Sequence, residues 1–382
     1  MQINLKALRA DVAQLRKDLA ASRGKRDFDH LRKMERWGRA CTALGYATAW
    51  TCPNPLSAFM LSTGNFARWA VVTHPISHGA YDCIDEAPDR YTTRGFAKGL
   101  RRLVDWMDWI VPEAWHEEHN ILHHYHVGEV VDPDQLEQNT EWIRNSTMPM
   151  AARYAIIAAM SAVWKPVYYA PNTLKELRQT KARRAGDSDA SEGNLLKLRT
   201  WTPLSAAGRE LWFQCWLPYA GWKFVAIPAL FTPLGPIAVT NVLINSLFAE
   251  VLTNLHGFLV ITPNHTGEDI PRFDSKVSGK DEFFLRQIVG SVNYKTGGNL
   301  RDFMHGWLNY QIEHHLCPDA TLLQMQEMQP RVKAMCEKHG LPYVQDSVFT
   351  RMRKTLDIMV GKTTMKRGFD VQAEVPDCEQ VA

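Results

Sequence analysis

Cysteine is scarce and scattered. Seven occur in 382 residues, none in a CxxC pair or a regular framework. This counts against a disulfide scaffold or a cysteine-ligated zinc site and favours reduced thiols. Charge of one sign is not concentrated either. The 44 basic and 41 acidic residues leave a net charge of +3, and nucleic acid is not an expected partner. The N-terminal stretch MQINLKALRADVAQLRKDL has no apolar core followed by a small-residue cleavage site, so no secretory leader is expected. No internal repeat is present. Two common metal motifs are incomplete. His116-Glu-Glu-His-Asn120 places asparagine where a zinc-protease HExxH needs its second histidine. Glu113-Ala-Trp-His116 is a single ExxH, without the second copy and extra glutamates of a carboxylate di-iron bundle.

A mean hydropathy of -0.29 conceals segregated apolar runs. Leu5, Leu8, Val12, Leu15 and Leu19 alternate spacings of three and four and predict an amphipathic helix. Its polar face carries Lys6, Arg9, Arg16 and Lys17. Packing on its own protein or a partner is the first expectation, and lying on an anionic membrane surface the second. Stretches 40–73, 148–172, 209–232 and 235–262 are apolar enough to enter a bilayer, where a spanning helix needs about 20 residues. The first could hold one long span or two short ones broken near Pro53 and Pro55. The second carries Arg153 and Lys165, costly in hydrocarbon, and is expected to lie at the interface. Thr232-Pro-Leu-Gly-Pro236 reads as a turn making a hairpin of the last two. Residues 173–202 are a polar connection, 79–147 and 266–382 build a water-facing part, and a tail follows Gly368. The expected divisions are an N-terminal basic helix over 1–39, a membrane and catalytic domain over 40–345, and a C-terminal helix and tail over 346–382.

Histidine carries the chemistry. His74-Pro-Ile-Ser-His78 is an HxxxH, His119-Asn-Ile-Leu-His123-His124 an HxxxHH, and Gln311-Ile-Glu-His314-His315 a QxxHH. His265 stands in Pro-Asn-His after the last apolar run, with His256 inside it. Residues four apart share a helix face, so His74 with His78, and His119 with His123, can each hold one ion. The adjacent His314 and His315 point about 100° apart and suit different ions. About eight imidazoles exceed a tetrahedral zinc site and suit two octahedral metals, which points to a dinuclear, histidine-rich iron centre. His30 and His339 are expected to be ordinary surface residues, and His116, His126 and His305 to neighbour the ligands without binding.

These three boxes resemble those of the membrane fatty acid desaturase family. The surroundings of the third, Asp302-Phe303 and Leu308-Asn-Tyr-Gln-Ile-Glu-His-His-Leu316, are similar to front-end and related bacterial and algal members. The resemblance covers about 40–345. It implies an all-α integral-membrane helical bundle of about four spanning helices, capped by a cytosolic helical domain that holds the di-iron site. The ligands it implies are His74, His78, His119, His123, His124, His265, His314 and His315. Gln311 is the weakest of the set, and His256 stands second to His265. It implies two Fe2+ ions, dioxygen as co-substrate and a lipid acyl chain as substrate. No HPGG motif of a fused cytochrome b5 is present, so a separate donor of cytochrome b5 or ferredoxin type is expected. Asp82, Asp85, Asn120, Glu129, Asp132, Asp302 and Glu313 are candidates, by closeness in sequence, to hold the ligand rings. For the boxes to share one side of a membrane, an even number of crossings must separate His124 from His265. That is met by spans at 209–232 and 235–262. Basic segments favour the cytoplasmic side. A lipid hydroxylase on the same scaffold stays open. A bis-histidine haem protein and a metal transporter are further alternatives. The transporter finds only Glu250 as an intramembrane carboxylate.

Overall fold

A computed structural model describes residues 3–186 and 198–369. Residues 187–197 of the expected polar connection, and all of the expected tail but Phe369, lie outside the described residues. The described chain is predominantly helical.

Helix α1 (Leu5–Ser22) is capped by Asn4, whose side chain accepts from the Ala7 amide at 2.9 Å. Its stripe of Leu8, Val12, Leu15 and Leu19 is buried in the main core, so the amphipathic face packs on the protein itself. Asp11 on its outer side holds His339 at 2.7 Å. His339 is therefore buried and hydrogen-bonded, contrary to the expectation of an ordinary surface residue. His30 likewise bonds Asn299 at 3.0 Å and sets its ring edge-on to Trp307.

Helix α2 (Lys25–Ala49) and helix α3 form an antiparallel hairpin. α3 begins as Pro55–Phe66 and runs on through the wider turns of Ala67–Thr73 into His74–Ser77. Stretch 40–73 is thus a pair of helices, turning where Pro53 and Asn54 stop one and cap the next. Small residues allow the close approach, as in helix pairs generally found in membranes. A Cβ on Gly64 would meet Thr42 Oγ1 at 2.1 Å, and one on Gly38 would meet Ala67 Cβ at 2.9 Å.

The box-two helix, α4, comprises Pro112–Trp115, His116–His123 and His124–His126. α5 (Met150–Ser161) has 12 residues, about 18 Å at 1.5 Å per residue, too short to span. α6 follows as Lys165–Tyr169 and Ala170–Arg184. α7 covers 206–229 in joined α and wider turns. The turn Thr232–Leu234 and Gly235, at φ 92° where a side chain would be strained, reverse the chain into α8 (Pro236–Ile261). The helical run Pro236–His265 is the one helix among the described residues long and apolar enough to cross a membrane.

The tip of the first hairpin is stitched to the N-terminal half of α8. Asn245 of α8 donates to the carbonyls of Ala49 and Cys52, both at 2.9 Å, and accepts from the Asn54 amide at 2.9 Å. Both tips therefore lie at one end. The rest of the chain gathers at the other end: α9 (Lys280–Val289), α10 (Gly298–Met304), α11 (Gln311–Leu316), α12 (Leu322–Lys338) and α13 (Val348–Met359). Two short parallel pairs fasten it: β1 (Pro271–Arg272) with β4 (Lys366–Arg367), and β2 (Asn293–Tyr294) with β3 (Gln345–Asp346).

Candidate metal centre

The boxes occupy helix ends that meet below the hairpins. His74 and His78 close α3, and His119, His123 and His124 lie on α4. His265 follows α8 in a tight turn, and His314 and His315 sit on α11. Their ring nitrogens fall into two sets, each within 4.8 Å: His74, His78, His119, His124 and His314, then His123, His265 and His315. The adjacent His314 and His315 divide between the sets, as their angular separation suggests. His119 and His123 fall in different sets, yet their ring nitrogens also come within 4.8 Å of one another and of an Asp134 oxygen, as their spacing predicts.

Local backbone geometry brings His124 to His119. In an α-helix, residues five apart point about 140° apart. Box two is wound in wider turns, with the His124 amide donating to the His119 carbonyl. Residue i+5 then returns to the side of residue i, and His124 joins His119 in the larger set. The same winding precedes box one, where the His74 amide bonds the Trp69 carbonyl.

In the smaller set every ring is held from behind. His123 Nδ1 meets Asp132 Oδ1 at 2.9 Å, His265 Nδ1 the Gly290 carbonyl at 2.9 Å, and His315 Nδ1 the Gln287 Oε1 at 2.8 Å. An acceptor on Nδ1 places the proton there and leaves Nε2 with a free lone pair, the usual arrangement behind metal-bound histidine. In the larger set the nitrogens crowd one another. His74 Nε2 lies 3.1 Å from His119 Nε2, and His314 Nε2 lies 3.0 Å from His124 Nε2. Nε2 of His78 and His315 and Nδ1 of His119, His124 and His314 are buried without a hydrogen-bond partner. Ring nitrogens gathered within 4.8 Å of one another in each set have no donor between them, and a shared cation would satisfy their lone pairs. Burial, reinforced by neighbouring imidazoles, pushes His74 and His265 down to about 3. It holds His78, His119, His124, His314 and His315 well below the usual imidazole range. Burial opposes the charged form of His123 too, but the Asp132 carboxylate outweighs it and raises that ring. Neutral imidazoles are the metal-binding form, and the donor set fits two metal ions.

The other expected residues are placed as follows. Gln311 is at the site, but Asn264 donates to its Oε1 at 2.9 Å, so its amide nitrogen faces His265 Nε2 at 3.0 Å. His256 stands apart: it bonds the Met304 carbonyl at 2.7 Å and lies against Phe66. Asp132 alone of the seven expected ring-holders contacts a ring of these two sets. Asp82 binds Thr93 instead, Asn120 the Ser77 carbonyl, Glu129 pairs with His126 and Arg286, and Asp302 accepts from Asn309 and Tyr310. Asp85 is exposed. Glu313 braces α11 through Asn293 and Tyr343, and burial pushes its carboxyl up to about 7. Gln287 and the Gly290 carbonyl, which do hold rings, lie in no histidine motif. His116 bonds Asn120, and His305 is a half-buried ring on the Arg301 carbonyl.

A cavity of about 350 Å³ opens onto both sets through His74, His119, His123 and His265. Its walls are aromatic and apolar, including Trp69, Trp115, Trp164 and Tyr169, with Asp134 beside the metal-facing end. Trp115 stacks on His119 at 4.4 Å. Two polar-rich histidine sets at the end of a greasy slot suit chemistry on an alkyl chain, and comparison with known proteins agrees. The fatty acid desaturase family model matches residues 48–347. This chain belongs to the fatty acid desaturase family. It is similar to a Mycobacterium tuberculosis protein named NADPH-dependent stearoyl-CoA 9-desaturase, 25% identical over 92% of this chain and 78% of the relative. A Rebecca salina acyl-lipid (7-3)-desaturase is 27% identical over 84% of this chain and 68% of its own. A Caenorhabditis elegans Delta(6)-fatty-acid desaturase, fat-3, is 30% identical over 34% of this chain and 27% of its own. No solved structure matches significantly. The desaturase is thus an oxidoreductase acting on fatty acyl chains.

Proposed function

We propose that the enzyme removes two hydrogens from neighbouring methylenes of an acyl chain lying in the aromatic cavity, using dioxygen and two iron ions. The observation that carries this reading is the opening of both histidine sets into one apolar slot. His74, His78, His119, His124 and His314 would hold one iron, and His123, His265 and His315 the other. The carboxylate of Asp134, within 4.8 Å of donor atoms of His119 and His123, stands at the open side of the smaller set. Two ferrous ions there supply the dioxygen chemistry needed against an unactivated C–H bond, which side-chain acids and bases cannot break. Dioxygen leaves as two waters, taking two hydrogen atoms (two electrons and two protons) from the acyl chain and two electrons and two protons from outside. Asp132, Gln287 and the Gly290 carbonyl keep the rings of the smaller set aimed. Trp69, Trp115 and Trp164 exclude bulk water and hold the methylenes straight along the slot.

Electrons come from a separate protein of cytochrome b5 or ferredoxin type. The hairpins α2–α3 and α7–α8 cross the bilayer four times, with both tips on the far side and the histidines on the cytoplasmic side. The basic segments beside the metal end favour that orientation. Expression in a desaturase-deficient yeast, followed by mass spectrometry of fatty acid methyl esters with double-bond localisation, tests the reading. A new alkene that disappears in His123→Ala is expected. A hydroxy acid as the dominant product would reject desaturation.

A further inference from the structure

A second cleft, larger than the acyl slot, lies between α2, α3 and α7, with a volume of about 450 Å³. α3 separates the two spaces. Trp69, Ala70 and His74 face the metal-lined cavity, whereas Asn65, Arg68, Val72 and Thr73 face the cleft. The cleft has an unusual charge balance for a space between membrane helices. Its two carboxylates, both buried, are paired: Glu35 by Arg32, Arg39, Arg90 and the Tyr91 hydroxyl, and Asp105 by Arg101. The cations Lys223 and Arg68 of the same cleft are not. Lys223 is only 5% exposed, and its ammonium donates to the Tyr46 hydroxyl at 3.1 Å and Asn65 Oδ1 at 3.0 Å. Arg68 donates to the Met107 carbonyl at 2.6 Å. Among the described residues neither is paired with a carboxylate.

A buried ammonium held only by neutral oxygens is costly, and an ionisable group inside a membrane bundle marks a site by default. Lys223 has a third N–H for a ligand, and Arg68 has further donors in a planar fork suited to phosphate. We propose that this cleft binds an anionic membrane phospholipid, its phosphate held by Lys223 and Arg68. The apolar part of the lining, Val72, Phe96, Trp222 and Ile227, suits the glycerol and acyl portion of such a lipid. The rim supports a lipid over a free anion. Val104 of the lining and its chain neighbours Leu100 and Leu103 are 70%, 85% and 58% exposed, interleaved with Arg101 and Arg102, a pattern suited to an anionic bilayer surface. Because α3 walls the cleft from the histidines, the lipid held there is a retained partner and not the chain being desaturated. The inference rests on α2, α3 and α7 lying in the membrane.

The test uses the full chain with its iron, purified in detergent and freed of lipid, and titrated in native mass spectrometry. Phosphatidylglycerol, phosphatidylcholine and inorganic phosphate are the probes. Retention of phosphatidylglycerol, weakened about tenfold in Lys223→Met and kept in Lys223→Arg, is expected for loss of one charge-assisted hydrogen bond. Equal retention of the two lipids, or unchanged binding in Lys223→Met, would overturn the site. Displacement by phosphate at the lipid's own concentration would overturn the lipid as ligand. Should Lys223→Met fail to fold, the preference of the wild-type chain between the two lipids decides alone. Desaturase activity is read separately, so loss of this lipid site with intact activity would leave the catalytic reading standing.

Discussion

Gln287 accepts a hydrogen bond from His315 Nδ1 at 2.8 Å while donating from its own Nε2 to the His124 carbonyl at 3.1 Å. The carbonyl fixes the amide orientation, the amide fixes the imidazole tautomer, and His315 Nε2 is left free and buried. One side chain on α9 thus aligns residues of two boxes that lie in separate histidine sets. Removing such an outer hydrogen bond typically costs about 10- to 100-fold in metal affinity or activity. Gln287→Ala is expected to lower iron occupancy of the smaller set and activity by that order. Iron content per chain, measured beside turnover, checks it, and full iron with full turnover would reject the role.

His256 belongs to the helix packing and not to the metal centre. His256→Ala should keep its iron and lose thermal stability by about 1–2 kcal/mol, from the lost bond to Met304 and the contact with Phe66. His123→Ala should do the reverse, keeping the fold and losing iron. Metal analysis and thermal unfolding of the two variants side by side distinguish the roles.

The segment after His265 is anchored by Arg351 of α13, fully buried, which donates to both Asp269 oxygens at 2.8 and 2.6 Å and to the Thr266 carbonyl at 2.9 Å. Burial would raise the Asp269 carboxyl, but Arg351 and Lys354 outweigh it and hold it below its ordinary 3.8. A depressed folded value means this contribution is fully present above 3.8 and is lost as pH falls through the lower folded value. Acid unfolding should therefore steepen as pH falls from 3.8 to the lower folded value, and Asp269→Asn should flatten the slope in that window. Arg351→Leu should destabilise by about 3 kcal/mol at neutral pH, because it removes one partner of a largely buried pair. Denaturation followed by circular dichroism across pH measures both.

Gly64 sets the spacing of the α2–α3 hairpin. Its missing Cβ makes room for Thr42 Oγ1, and Gly64→Val should force the helices apart at a cost of about 1–3 kcal/mol. Since α3 carries His74 and His78 at its end, the same change should reduce iron binding from a distance. Unchanged unfolding temperature and iron content would show that the hairpin has slack.

The histidine boxes, the turn at 232–236 and the inward face of α1 were readable because each is a local pattern with a simple period. The hairpin at 40–73 was half readable: Pro53 and Pro55 marked a break, while the Asn245 bonds to Ala49 and Cys52 come from far along the chain. The wider turns of α4 were not readable and bring His124 beside His119 in the larger set, while His119 and His123 still meet over Asp134 as their spacing predicts. The ring-holding groups were missed for the same long-range reason. Gln287 and the Gly290 carbonyl lie about 28 and 25 residues from the rings they hold, and nothing in their neighbourhood announces it. Asp132 was legible because it sits nine residues from His123.

Iron stoichiometry tests the central claim most directly. Elemental analysis and Mössbauer spectroscopy of freshly purified, active enzyme should find two irons per chain in two inequivalent nitrogen-rich environments, falling to about one in His123→Ala. Active enzyme without iron, or with a single iron unaffected by His123→Ala, would contradict the account.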